Sequence, residues 1–380
     1  MEFLVRARRG LVALLTLVLL VAVPGTATAG SKQPPGKDKR QLSVMTQNLY
    51  LGSTLTPAIE AGNAAQFIGA VAQIYSTAVA TNFPRRAEAI ADTIAAEKPD
   101  LVGLQEVTNW IAQRTGAGPP LLLNYDFLDI LQTELGERGL DYSVGAVSQN
   151  ANIGPAPLAA VEGCSAPNPA NPASWVPNCF VTLQDRDVIL VNDDTPGLDV
   201  LRSESGDYQK QEVLTPPGGA PVSFARGWAL IDGTFEGKKF RFVNTHLEVE
   251  GFRATQEAQA REFLAGPAKA PGAVIATGDF NSAADPATTE EPTATYAALT
   301  RSWFDDAWAV NGGDPGLTCC QNSPLTNPQS QLRTRIDLIL LHGPVRAREA
   351  HVVGDAPILA VKPPRWASDH AGVVATLRLH

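Results

Sequence analysis

The stretch Ala273-Val-Ile-Ala-Thr-Gly-Asp279-Phe-Asn281 decides the reading of the chain. Five residues from Ala273 to Thr277 run without polar alternation, which suits a short strand buried on both faces. The chain then breaks at Gly278 into a polar tip carrying Asp279 and Asn281. The same arrangement recurs. Leu42–Gln47 ends at Asn48, Leu101–Gln105 at Glu106, and Phe240–Thr245 at His246. Asp337 sits in Arg335-Ile-Asp-Leu-Ile-Leu-Leu, and Asp369 and His370 directly precede a last strand over Ala371–Leu379. Strand ends on one side of a sheet converge, so polar residues at such ends can share one cleft.

Working outward, helical spacing appears over Pro57–Val79, Arg85–Lys98, Asp126–Arg138 and Arg253–Ala265, the second being stopped by Pro99. Further strands are expected at Tyr142–Val147, Asp187–Val191, Gly227–Phe235, Phe240–Leu247, Ile336–Leu341 and Ala347–Val353. Residues 148–180 show little periodicity and read as a long functional or inserted loop. No repeat and no linker follows residue 42. These features predict an α/β (α+β) domain over 42–380, with two packed β-sheets flanked by helices. A doubly wound parallel sheet is the competing architecture. The hairpin-like pair around Glu236-Gly237 counts against it.

Composition sets the outer limits. In 380 residues, 44% are apolar and 18% charged, which excludes a mostly disordered chain and a polytopic membrane protein. Glycine and proline, 32 and 29 residues, make the fold rich in loops. Arg6, Arg8 and Arg9 precede an apolar run from Leu11 to Val23, closed by Pro24-Gly25 and Ala27-Thr-Ala29. That pattern predicts a signal peptide over 1–29 cleaved near Ala29, a flexible leader over 30–41, and a secreted protein without a remaining transmembrane anchor. An uncleaved N-terminal anchor is the alternative. Net charge is −9, so the chain lacks the basic footprint of a tight non-specific nucleic-acid binder. An acidic hydrolase holding a polyanion through a metal ion remains allowed.

Four cysteines suit the oxidising environment of an exported protein. Cys164 and Cys179 bracket a Pro/Asn-rich stretch and are expected to pair. Adjacent cysteines bond each other only in strained geometry, so Cys319 and Cys320 are expected to stay reduced or reach distant partners. Trp110, Trp175, Trp303 and Trp366 are either partly buried packing or a substrate-contacting rim, with Trp366 the best placed to line a cleft. His342, His351 and His380 have no motif partner. Asp185–Asp187 read as a turn before a strand, or as support for His246.

The chain has no G-x-S-x-G, H-E-x-x-H, Walker loop or G-x-G-x-x-G, which argues against a serine hydrolase, a zincin and a nucleotide-binding enzyme. Carboxylates and Asn carbonyls are hard ligands that favour Mg²⁺, with Mn²⁺ or Ca²⁺ possible alternatives, over zinc. Histidines beside such an ion supply proton transfer or charge stabilisation, and a phosphate ester is the matching substrate.

The ordered series Gln47-Asn48, Leu104-Gln-Glu106-Val, Asn244-Thr-His246-Leu, Gly278-Asp-Phe-Asn281, Arg335-Ile-Asp337 and Ser368-Asp-His370 resembles the endonuclease/exonuclease/phosphatase (DNase I-like) superfamily. The resemblance implies a four-layered sandwich of two mainly antiparallel sheets. It implies metal-side roles for Asn48, Glu106 and Asp369, and water orientation and phosphate contact for Asp279 and Asn281. His370 would be the catalytic histidine, held by Asp337, and His246 the group that stabilises phosphoryl oxygens or protonates the leaving group. Arg226 would contact phosphate. The implied enzyme is a secreted, metal-dependent phosphodiesterase acting on DNA or RNA, with a sphingomyelinase-like or phosphoinositide-type lipid hydrolase as the alternative. A non-catalytic binder on the same scaffold would be expected to lose a histidine or a metal carboxylate. No stable protein partner is implied.

Overall fold

The computed structural model describes residues 41–116, 121–168, 171, 174–217, 221–358 and 363–380. The expected signal segment 1–29 and nearly all of the expected leader lie outside the described residues. In chain order come β1 (Leu42–Asn48), α1 (Thr56–Ile59), α2 (Ala64–Ala80), α3 (Phe83–Glu97) and β2 (Leu101–Gln105). Then follow β3 (Asn109–Arg114), β4 (Leu121–Asp126), α4 (Phe127–Glu137), β5 (Tyr142–Pro157), β6 (Cys179–Asn192) and β7 (Leu198–Asp207). The second half holds β8 (Glu212–Leu214), β9 (Val222–Phe224), β10 (Gly227–Phe235), β11 (Lys238–His246), α5 (Arg253–Ala265) and β12 (Ala273–Asp279). It closes with α6 (Thr295–Ser302), β13 (Asp305–Asp306), β14 (Asp337–His342), β15 (Val345–Val353) and β16 (Gly372–Leu379).

One sheet runs β15-β16-β1-β2-β6-β3-β4, with β5 also paired to β6, and the other β13-β14-β12-β11-β10-β7. The pairs β1–β2 and β11–β12 are parallel; every other pair in these two sheets is antiparallel. This is the two-sheet architecture expected from sequence, not a doubly wound sheet. The hairpin β10–β11 turns at Glu236 (φ 50°) and Gly237 (φ 76°), the left-handed pair that a tight two-residue hairpin needs.

Three apolar clusters give the layers. Ile90, Ile94 and Leu131 of α3 and α4 pack with Met45, Val102 and Leu190 on the outer side of the first sheet. Val44, Leu101 and Ile189 meet Phe242, Ile275 and Ile339 between the sheets. Phe263 and Leu299 of α5 and α6 cover Val243, Val274 and Leu340 outside the second sheet. The order is helix, sheet, sheet, helix. Towards the polar strand ends a hydrogen-bonded bridge joins the sheets: Gln105 donates to Asn244 Oδ1 (2.6 Å), and Asn244 Nδ2 donates to the Leu104 carbonyl (2.8 Å). Gly103 permits this approach, since a Cβ there would sit 2.4 Å from Thr277 Oγ1 and 2.7 Å from Asn244 Oδ1.

Several expectations change. The helix expected over 57–79 is divided between α1 and α2, because Asn63 caps a new start by accepting from Gln66 N (2.9 Å). Much of the loop expected over 148–180 is strand. β5 continues to Pro157 with three register shifts against β6, and the bulges erase the alternation by which a strand is read. The remaining loop is closed by Cys164–Cys179 with Cα atoms 5.6 Å apart, as expected. Cys319 and Cys320, expected reduced or distantly paired, are joined to each other. Asp185–Asp187 form no turn but lie inside β6. Trp366 lines no cleft: it is 2% exposed, packs with Tyr50 and Leu325, and donates to the Asn327 carbonyl. No helix of the described residues is long and apolar enough to cross a membrane.

Candidate active site

Strand register brings the site together. His246 at the end of β11 pairs with Asp279 at the end of β12, and Asp279 pairs with Asp337 at the start of antiparallel β14. Three of the candidate residues therefore lie in one row across the second sheet. Asn48 ends β1 of the opposing sheet and donates from Nδ2 to Glu106 Oε1 (3.2 Å) and Asp279 Oδ2 (3.1 Å), tying the two sheets at their polar ends. Glu106 (φ 54°) and Asn281 (φ 48°) both adopt left-handed backbone just beyond their strands. Such conformations are costly for non-glycine residues and cluster at functional sites.

His370 sits at the centre of the acidic group. Its Nδ1 donates to Asp337 Oδ2 at 2.8 Å, while Nε2 lies 3.8 Å from Asp279 Oδ2 and 4.0 Å from Asp369 Oδ1. Burial opposes its positive charge, but Asp337, Asp369 and Asp279 outweigh burial, and its pKa stands well above the usual histidine value. His370 is thus an imidazolium near neutral pH in the metal-free chain. Asp279, Asp337 and His370 offer ligand atoms within 4.8 Å of one another.

His246 lives in the opposite field. Arg226 Nη1 lies 2.9 Å from its Nδ1. Guanidinium only donates, so Nδ1 accepts and the ring is the neutral tautomer with its proton on Nε2, 3.5 Å from Asp279 Oδ2. Burial first, and then the charge of Arg226, hold its pKa well below the ordinary value. Asn281 Nδ2 is 3.1 Å from the same Nε2 and donates to the Leu247 carbonyl, while Asn281 N donates to Asp279 Oδ1 (2.9 Å).

The carboxylates show what the site lacks in positive charge. Burial, then Asp337, pushes Asp279 up to about 7. Burial, with Glu106 and Asp279 adding to it, pushes Asp369 up to about 7. Asp337 Oδ1 is buried without a protein hydrogen-bond partner. A divalent cation bound among hard oxygens would relieve this crowding, so the donor set fits the metal expected from sequence. Glu106 and Asp369, both only half-buried, present carboxylates at the open side, with Asn48 beside Glu106.

The nine residues given site roles from sequence lie together at these strand ends. Sequence reasoning missed Arg86. Fully buried, it donates to the carbonyls of Leu49, Tyr50, Thr81 and Ala367, clamping the turns that follow Asn48 and precede Asp369. Burial lowers its pKa only to about 10, so it stays charged. In sequence it is one of two adjacent arginines opening a helix, with nothing to mark it. Also missed was Glu248, whose Oε1 stands 3.7 Å from Arg226 Nη2; Asp185 and Asp187 lie buried in the same field, and burial raises the pKa of both.

A two-sheet α/β sandwich thus gathers carboxylates, amides and two histidines at its strand ends. The endonuclease/exonuclease/phosphatase family model matches residues 45–370, and the chain belongs to that family. No curated protein sequence matches it. Among solved structures, a family protein from Leptotrichia buccalis C-1013-b superposes with TM-score 0.53 at 15% identity, covering 89% of this chain and 100% of its own. One from Beutenbergia cavernae DSM 12333 gives 0.52 at 21% identity, over 90% and 72%. D. rerio TDP2 complexed with a single-strand DNA product gives 0.51 at 17%, over 89% and 99%. At these identities the likeness is one of fold.

Proposed function

We propose that this protein is an exported, divalent-metal-dependent phosphodiesterase that acts on nucleic acid. The observation carrying the reading is the convergence of His246, Asp279, Asp337 and His370 from separate strands, with Asn48, Glu106 and Asp369 beside them. Export rests on the basic start and apolar run of residues 1–29. Nucleic acid is favoured because a protein of this fold holds single-strand DNA product.

In this reading Glu106 and Asp369, with Asn48 beside them, hold the metal. When bound, the ion supplies positive charge for the phosphate oxygens. The protein's own groups do the rest. Asp279, titrating near 7, accepts a proton from the attacking water, which Asn281 helps to orient. His370 enters as an imidazolium whose Nδ1 is fixed by Asp337, leaving Nε2–H to donate to a phosphoryl or leaving oxygen. His246 donates from Nε2 because Arg226 occupies Nδ1, and Arg226 adds positive charge beside the phosphate. Such preorganised donors aimed at developing charge carry much of enzymatic rate enhancement.

The test is turnover of plasmid DNA, RNA, sphingomyelin vesicles and a phosphoinositide by the purified protein, with Mg²⁺ or EDTA. EDTA-sensitive cutting of DNA or RNA is expected. Cleavage of a lipid alone would transfer the reading to a lipid phosphodiesterase, and silence across the panel would defeat both.

A further inference from the structure

Cys319 and Cys320 lie against His370. Residues 318–321 run antiparallel beside 369–371: Gln321 N donates to the Asp369 carbonyl and Ala371 N to the Thr318 carbonyl, both at 2.8 Å, and Cys319 is bridged to His370. On the other side, Thr318 N and Cys319 N donate to the Thr334 carbonyl, and Arg333 N donates to the Cys319 carbonyl. Backbone pairing on both flanks therefore fixes where the two sulfurs sit. Cys320 Sγ is 3.8 Å from His370 Nε2, and one ligand atom from each of Cys319, Cys320 and His370 falls within 4.8 Å of the others. Cys319 is buried, whereas Cys320 is half-buried and so open to a small reagent.

These donors differ in kind from the carboxylates on the far side of the ring. Thiolates and imidazole suit Zn²⁺, whereas carboxylates and amide carbonyls suit Mg²⁺. In a tetrahedral zinc site, with Zn–S about 2.3 Å and Zn–N about 2.0 Å, sulfur and nitrogen stand about 3.5 Å apart, close to the 3.8 Å between Cys320 Sγ and His370 Nε2. Nδ1 of His370 is already held by Asp337 at 2.8 Å. That carboxylate–histidine pairing is the one that orients a ligating imidazole, and it leaves Nε2 as the free ring nitrogen. The sulfurs are joined to each other in the structure, and joined sulfurs offer no thiolate.

We propose that the reduced Cys319–Cys320 pair and His370 Nε2 form a zinc-binding site, and that an ion held there takes His370 out of catalysis. The site itself stands on these residues alone; the inhibition rests on the phosphodiesterase reading. A dithiol opens the site. Its two sulfurs join, the bond between Cys319 and Cys320 breaks, and each cysteine sulfur takes one of the two protons released. Zn²⁺ then displaces both thiol protons and the proton on Nε2. The Nε2–H that faces the phosphate is lost, while Glu106 and Asn48 keep their places.

The test compares the full chain reduced by a dithiol, then freed of it without air, with the oxidised chain. Zn²⁺ is titrated against a chromophoric chelator in excess Mg²⁺, which needs no turnover. The reduced chain is expected to take up one more Zn²⁺ than the oxidised chain. Cd²⁺ in its place should give an ultraviolet thiolate-to-metal band in the reduced chain alone. Cys320→Ser and, separately, Cys319→Ser should abolish both signals with circular dichroism unchanged, whereas Cys164→Ser with Cys179→Ser should keep both. The His370 ring should cease to titrate by NMR once Zn²⁺ is bound. Zn²⁺ should lower turnover of bis(p-nitrophenyl) phosphate about 10³-fold further in the reduced chain than in the oxidised chain, the loss of an acid–base group. Equal zinc uptake by the two chains, uptake undiminished in both serine variants, or a His370 ring that titrates normally with zinc bound would overturn the site. So would a pair that no dithiol opens in the folded chain. Thiol-dependent uptake in a chain that turns over nothing even without zinc would keep the site and defeat the phosphodiesterase reading. Uptake that leaves turnover unchanged would overturn the inhibition.

Discussion

The Nε2 atoms of His370 and His246 lie 3.8 Å and 3.5 Å from the same oxygen, Asp279 Oδ2, yet the fold prepares the two rings differently. His370 is ringed by Asp337, Asp369 and Asp279 and keeps its proton. His246 is buried against Arg226 and stays neutral. Neighbours set the difference, since both rings are almost wholly buried, at 7% and 1% exposure. Two identical side chains thus become one cationic and one neutral group beside the same carboxylate.

The largest way to break this contrast is to remove His370. His370→Ala should lower kcat/KM on bis(p-nitrophenyl) phosphate by about 10³-fold, within the usual range for a lost acid–base group, with the fold retained by circular dichroism. Asp337→Asn should cost about 10²-fold, because it loosens the Nδ1 partner without removing the ring. On the other side, Arg226→Met should cost about tenfold in turnover. It should also let His246 titrate closer to the usual value, visible as a more basic imidazole in NMR.

Stability sharpens the same contrast. Asp279 and Asp369 hold protons up to about 7 in the folded chain and about 4 when unfolded. The folded state therefore binds more protons between those values, and metal-free stability falls as pH rises through that window. His370, also raised, contributes stability that is present below about 6.5 and lost as pH climbs through its folded pKa. His246, depressed, contributes in the other sense: its share is present above about 6.5 and lost as pH falls. The melting temperature of metal-free protein should drop between pH 5 and pH 7. Mg²⁺ should raise it more at pH 8 than at pH 6, and an equal Mg²⁺ effect at both would place the metal away from these carboxylates.

The smallest effect on the site is expected from the far loop. Cys164→Ser with Cys179→Ser opens a closure of 15 residues and should lower stability by about 3 kcal/mol. The pH behaviour of both histidines should not change.

Strand ends were legible in the sequence because an apolar run that stops at Asn48, Glu106, His246 or Asp279 marks both the buried strand and its polar tip. What escaped was set by tertiary context. β5 and β6 are bulged against each other, so only Tyr142–Val147 and Asp187–Val191 read as strand and residues 148–180 read as loop. β7 has its residues mostly exposed and lacks an apolar face to read. Arg86 acquires its meaning only when the distant carbonyls of Leu49, Tyr50 and Ala367 close around it beside that of Thr81. The charge states of the two histidines were equally hidden, since Arg226 lies twenty residues from His246 and Asp337 thirty-three from His370.

The opposed charge of the two histidines is tested most directly by NMR titration of the imidazole carbons in metal-free protein, assigned with His246→Asn and His370→Asn. The account predicts that His370 remains protonated well past pH 6.5 while His246 remains neutral well below it. Two curves with midpoints together near 6.5 would contradict it.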